Sequence, residues 1–196
     1  MRDLPPEELA RANFYALLAR LFYGPPDAVL LGALAAADPL PSDDAGAALA
    51  LAWTEMSLAA GVADEAELTQ EYETRFVGTG KAEISLYTAA YTVKTAVDNP
   101  LVDIREFMDR HGLARRENAY EPEDHIAGLC EIMRHLVAEQ QSPIEEQRRF
   151  FNLYVWPGAI PLCDAIEKHP HIVFYKHAAR LARAFFELEH ATLDMN

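Results

Sequence analysis

Apolar residues recur along this chain every three or four positions, the interval that stacks side chains on one face of an α-helix. From Glu7 to Tyr23 the stripe carries Phe14, Leu17, Leu18 and Leu21, and Gly24-Pro25-Pro26 stops it. A short second helix is expected to about Ala37, closed by Asp38-Pro39-Leu40-Pro41. Ser42-Asp43 is expected to open an alanine-rich helix to about Ala60, with Gly61 as its C-cap. Asp64 and Glu67 have capping-box spacing for the next helix, which should end near Gly78-Thr79-Gly80. Asn99-Pro100 starts another, with Ile104, Phe107 and Met108 inward and Gly112 past its end.

After Pro122, one helix face collects Ile126, Leu129, Cys130, Met133, Leu136 and Val137. Ser142-Pro143-Ile144-Glu145 reads as a helix start with Ser142 as N-cap, and Trp156-Pro157-Gly158 as a break. A short helix should cover about Ile160 to His169. A last one should run from His171 to about Leu188, burying Phe174, Ala178, Leu181, Phe185 and Leu188. Period-two alternation never persists, so no sheet is expected. The pattern predicts an all-α protein, a single globular bundle of about nine to ten helices joined by short loops. Residues 113–121 are polar and lie between two helices, which marks them as the internal boundary.

Composition narrows the function classes. The chain has 196 residues and a formal net charge of −14, with 17 basic against 31 acidic side chains. Nucleic acid is excluded as a partner, because phosphate backbones are held by basic stripes and only isolated pairs such as Arg148-Arg149 occur. An acidic surface steers basic partners toward it. No apolar run approaches the roughly 20 residues that span a bilayer, and the N-terminus lacks a signal-peptide pattern, so a cytoplasmic protein without membrane insertion is expected. Cys130 and Cys163 form no CxxC and read as buried free thiols.

Catalytic and metal chemistry find little support. There is no HExxH, no GxSxG, and a single Glu-x-x-His, Glu187 to His190, where a di-iron bundle needs two. Asp124, Glu131 and His135 share a helical face, a spacing typical of surface ion pairs. Gly78-Thr79-Gly80-Lys81 lacks the first glycine of a phosphate loop and is followed by Ala82. A small nucleotide-dependent hydrolase using Asp124, His125 and this segment is the rival reading. No catalytic residue, metal or cofactor is expected.

Two blocks stand out. In the first, Leu68, Tyr72 and Phe76 recur every four residues, and Tyr87 and Tyr91 follow after a glycine turn. These rings are either core or the wall of a groove for an apolar peptide helix. In the second, Glu121-Pro122-Glu123-Asp124-His125 suits a helix start, with proline in the first turn and acids near the positive helix end. His125 is left over by that explanation.

Together the blocks Tyr72-x3-Phe76-Val77-Gly78-x-Gly80, Tyr87-x3-Tyr91 and Glu121-Pro122-Glu123-Asp124-His125 resemble those of the TorD/DmsD family of redox-enzyme maturation chaperones, to which NarJ-type assembly factors are related. The chain departs from that pattern at Leu86, where proline is common, and at Thr88-Ala89-Ala90. The resemblance implies a chaperone that binds the twin-arginine leader and apo form of a molybdopterin oxidoreductase catalytic subunit, assists cofactor insertion and delays export. A NarJ-type variant would serve a non-exported enzyme. It further implies an N-terminal helical region (residues 1–112), a hinge (residues 113–125) and a C-terminal helical region (residues 126–196), in a monomer or a homodimer formed by domain exchange. By matched position, Glu121, Pro122, Asp124 and His125 would form the hinge end of the leader site, with Asp124 pairing with a leader arginine. Tyr72, Phe76, Tyr87 and Tyr91 would form its aromatic wall.

Overall fold

The computed structural model describes residues 4–41, 45–78, 80–93, 99–114 and 121–195. Within them the fold is all-α, with ten helical segments in chain order: α1 (Pro6–Tyr23), α2 (Ala28–Ala35), α3 (Ala47–Gly61), α4 (Glu65–Tyr72), α5 (Ala89–Thr92), α6 (Pro100–Arg110), α7 (Ile126–Ala138), α8 (Ile144–Phe150), α9 (Trp156–Lys168) and α10 (Phe174–Met195). Two π turns, Glu73–Val77 and Phe151–Val155, continue α4 and α8. The only strand-like pairing among the described residues is an isolated antiparallel bridge between Tyr87 and His125.

Asp64 and Gly112 set helix ends as expected, and Asp27 adds a cap that the sequence pattern did not single out. Pro6 occupies the first turn of α1, with Glu7 and Glu8 beside it and Arg20 in the last turn. The Asp27 and Asp64 carboxylates accept from the opening N–H groups of α2 and α4. Gly112, with φ +66°, follows α6.

Five expectations shift. Gly61 is the last residue of α3 and Val62 is its cap; the proposed Ser42-Asp43 start lies outside the described residues. Pro143, and not Ser142, is the N-cap of α8, while the Ser142 carbonyl accepts from the Gln147 side chain at 2.9 Å. Pro122 precedes the helix it was expected to begin, because α7 starts at Ile126 with His125 as its cap. Helix α10 runs seven residues beyond Leu188, so Glu187 and His190 sit inside it.

The largest shift is at Trp156-Pro157-Gly158, which breaks nothing. In the π turn the Trp156 N–H bonds to the Phe151 carbonyl five residues back. Pro157, which has no N–H to give, then falls in the first turn of α9, where a donor is not required. Chain from Ile144 to Lys168 is therefore helical throughout.

One contiguous core includes Tyr15, Leu18, Met56, Leu129, Met133, Phe150, Phe151 and Phe186, each at most 1% exposed. Helix α1 packs on α7, α3 on α10, and α10 on α9, so elements from both sides of residues 113–125 share that core. Cys130 and Cys163 are buried free thiols, as expected. At the far end Arg11 grips Glu189 with two hydrogen bonds of 2.7 and 3.0 Å, and the Tyr15 hydroxyl donates to the same carboxylate at 2.8 Å.

Candidate functional site

Helix α4 gives way to its π turn at Glu73, where the Gly78 N–H bonds to the Glu73 carbonyl at 2.7 Å. The extra residue packs Phe76 beside Tyr72, with ring centroids 5.4 Å apart, and both rings lie against Tyr175 at 4.9 and 5.7 Å. The Tyr72 hydroxyl donates to the Phe22 carbonyl at 3.0 Å, tying this wall to α1. Gly78 is required here. Its φ is +67°, and a Cβ would stand 2.5 Å from the Lys81 carbonyl oxygen.

The chain then returns to meet the Glu121–His125 run. Thr88 N–H donates to the Asp124 carbonyl and Ile126 N–H to the Leu86 carbonyl, both at 2.9 Å. The Thr88 hydroxyl adds a 3.2 Å bond to the same Asp124 oxygen. Gly158 of α9 makes room for this junction, since a Cβ there would lie 2.4 Å from the Thr88 Cβ. Two segments distant in sequence are thereby fastened side by side.

Against this frame the predicted residues separate into two groups. Tyr72, Phe76, Tyr87, Glu121 and His125 line one cavity of about 280 Å³, together with Val77, Ala82 and Leu86. The Tyr87 hydroxyl donates to the Glu121 carboxylate, and its ring meets His125 edge-on at 5.2 Å. Burial, with help from Glu121, pushes the Tyr87 phenol up to about 12, so it remains a donor. His125 is 4% exposed, and burial lowers its pKa to about 4. Its Nδ1 accepts from the Ala127 N–H at 3.2 Å and caps α7, so the neutral ring carries its proton on Nε2.

Pro122, Asp124 and Tyr91 do not line the cavity. The Pro122 carbonyl accepts from His125 N–H at 3.1 Å, closing the turn. Asp124 is 3% exposed. Burial raises its carboxyl, opposed by hydrogen bonds from the backbone N–H groups of Ala89 and of Asp124 itself, so this side chain secures the start of α5. The Tyr91 hydroxyl donates to the Ser85 carbonyl at 2.9 Å and braces the loop. Glu123 reaches outward to Arg105 of α6 at 3.0 Å. Val77, Ala82 and Leu86 were missed as lining residues: single small or aliphatic side chains in a turn carry no periodic signal.

The rival chemistry finds no geometry. Asp124 and His125 bond to different backbone groups and form no acid–base pair. Glu131 pairs with Arg134 at 2.9 Å and His135 with Glu139 at 2.8 Å, away from Asp124. Among the described residues no three His, Cys, Asp or Glu side chains are grouped to hold a metal ion, and no helix is long and apolar enough to cross a membrane. Thr79 of the glycine turn lies outside the described residues.

The range matched by known proteins includes both blocks. Residues 42–158 match the family described as nitrate reductase delta subunit. Chaperone protein TorD of Vibrio cholerae serotype O1 is 25% identical over 138 residues, covering 65% of this chain and 63% of that protein. Chaperone protein TorD of Photobacterium profundum is 28% identical over 141 residues, covering 65% and 64%. The match thus spans a little under two thirds of the length of these relatives.

Proposed function

Since this chain belongs to the nitrate reductase delta subunit family, the TorD/NarJ-type chaperones that its two motif blocks resemble, we propose that it is a cytoplasmic, non-enzymatic assembly chaperone. Its client is the apo catalytic subunit of a molybdopterin oxidoreductase, held by its twin-arginine leader until the cofactor is inserted. The observation that carries this reading is the backbone bridge joining the two blocks, with residues of both facing a single cavity.

In this reading Glu121 takes a leader arginine, whose guanidinium suits a carboxylate and stacks on the Tyr72, Phe76 and Tyr87 rings. The Nε2–H of His125 donates to a leader carbonyl. Pro122, Asp124 and Tyr91 hold the frame. Residues 113–125 act as the hinge through which the flanking helical regions rearrange, or exchange between two copies, when the client binds.

Calorimetry with a synthetic twin-arginine leader peptide tests the site. Saturable binding is expected, weakened about tenfold by Glu121→Gln, in line with the loss of a charge-assisted bond. Absence of binding, or unchanged affinity in both Glu121→Gln and His125→Asn, sinks the assignment. A second version is a NarJ-type assembly factor whose client is not exported. Co-purification of the reductase subunit, and inspection of its N-terminus for a twin-arginine leader, separates the two.

A further inference from the structure

A second cavity of about 280 Å³ opens between the end of α3, α4 and the start of α10. Val62 and Val173 flank it and are 87% and 71% exposed, with Ala59, Ala63, Leu68 and Phe174 behind them. Leu58, also exposed, lies one turn before Val62 on the same side of α3. Isolated exposed aliphatic residues are ordinary on a protein surface. Here Val62 and Val173 converge on one concavity, with Leu58 beside it.

The polar lining is acidic. Asp64, Glu67 and Glu71 border the cavity, and His177 is the only basic side chain among its described lining residues. The His177 Nδ1 faces the Glu55 carboxylate at 3.8 Å, a further acidic group beside the cavity. The concavity therefore offers apolar contact inside a negative rim, which complements an apolar segment adjoining basic residues. A second copy of this chain fits less well, because it would bring another acidic surface against that rim, at a net charge of −14 per copy.

Position ties this cavity to the first. Asp64, the cap of α4, and Glu67, Leu68 and Glu71 within it line the second cavity, whereas Tyr72, Phe76 and Val77, further along the chain, line the first. Leu68 to Phe76 spans about 12 Å along a helix axis. One peptide segment of about two helical turns, or about four extended residues, reaches both.

We propose that the cavity between α3, α4 and α10 seats the apolar stretch of the same client segment whose arginine occupies the cavity at Glu121. The proposal rests on the peptide-binding reading above and adds a second point of contact. An Arg-Arg pair and an apolar stretch would then be read together, the pair at Glu121 and the stretch along α4.

Two synthetic peptides separate the readings: a long one with an Arg-Arg pair followed by a ten-residue leucine–alanine stretch, and a short one ending after the pair. Val62→Lys/Val173→Lys places charges at two exposed positions, so the fold is expected to stay intact by circular dichroism. It should weaken the long peptide about tenfold and leave the short one unchanged, whereas Glu121→Gln should weaken both. Glu67→Gln should weaken the long peptide about twofold and reduce its salt dependence. Unchanged long-peptide affinity in the lysine variant overturns the proposal while leaving the first cavity's role standing. If the unmodified protein binds neither peptide, the reading of the first cavity fails and this one falls with it. A dimer in sedimentation that the lysine variant makes monomeric would instead assign the groove to self-association and overturn the proposal.

Discussion

At His125 one imidazole closes the N-terminus of α7 and walls the cavity, and both roles depend on a neutral ring. In the unfolded chain its pKa returns to about 6.5, whereas burial holds the folded value at about 4. Between those values the unfolded chain binds the extra proton. The stability that depends on neutral His125 is therefore complete above pH 6.5 and is lost as pH falls toward 4. A shift of that size corresponds to roughly 3 kcal/mol. His125→Asn keeps a capping oxygen for Ala127 and removes the titration. Urea unfolding at pH 7 and pH 4.5 should show a steeper loss for the unmodified protein, and parallel losses would contradict the account. Five of the eight residues lining the candidate cavity were legible in the sequence, because aromatic spacing and the Glu-Pro-Glu-Asp-His run are local features. Their directions were not. Neighbouring Asp124 and His125 look equivalent as letters, yet a turn ahead of α7 sends one to the Ala89 N–H and the other to the cavity wall.

Helices were predictable where caps and apolar stripes agree, as in α1, α4 and α6. The π turn after α8 was not, because Trp-Pro-Gly carries every local signal of a stop. What overrides that signal is a tertiary contact: Gly158 must approach Thr88 to within a distance that no Cβ permits. Gly158→Ala should thus cost about 1–3 kcal/mol, as overpacking does, and should lower peptide affinity by pushing Thr88 off Asp124. A melting curve with a binding isotherm checks both, and a variant as stable as the parent would refute the close approach. A second cap is supplied from outside its own helix. The Glu71 carboxylate of α4 accepts from Val173 N–H at 2.9 Å and Tyr175 N–H at 3.0 Å, closing the start of α10. Glu71→Ala is expected to lose about 1–2 kcal/mol in chemical denaturation, the usual cost of a lost cap.

Across the whole molecule, the Arg11–Glu189 pair joins the first helix to the last, and the Gln147 side-chain oxygen of α8 accepts a further bond from Arg11 at 3.0 Å. Glu189 is 3% exposed, and removing it takes the acceptor from the Tyr15 hydroxyl and from two Arg11 donors, while Glu8 still pairs with Arg11 at 2.8 Å. Glu189→Ala should destabilise by about 1–3 kcal/mol, and the pair replacement Arg11→Met/Glu189→Leu should recover much of that loss in urea titrations. If the double replacement is as damaging as the single one, unsatisfied donors are not the cause. Pairings at this range left no mark in the sequence, since 178 residues separate the partners. The bridge between Leu86–Thr88 and Asp124–Ile126 has the same long-range character at the cavity. The cavity draws its lining from both segments, so a chain still leaving the ribosome presents no complete wall for a ligand to enter. On the proposed function, ligand binding would therefore double as a readout of completed folding: only a finished copy of this protein would capture a client.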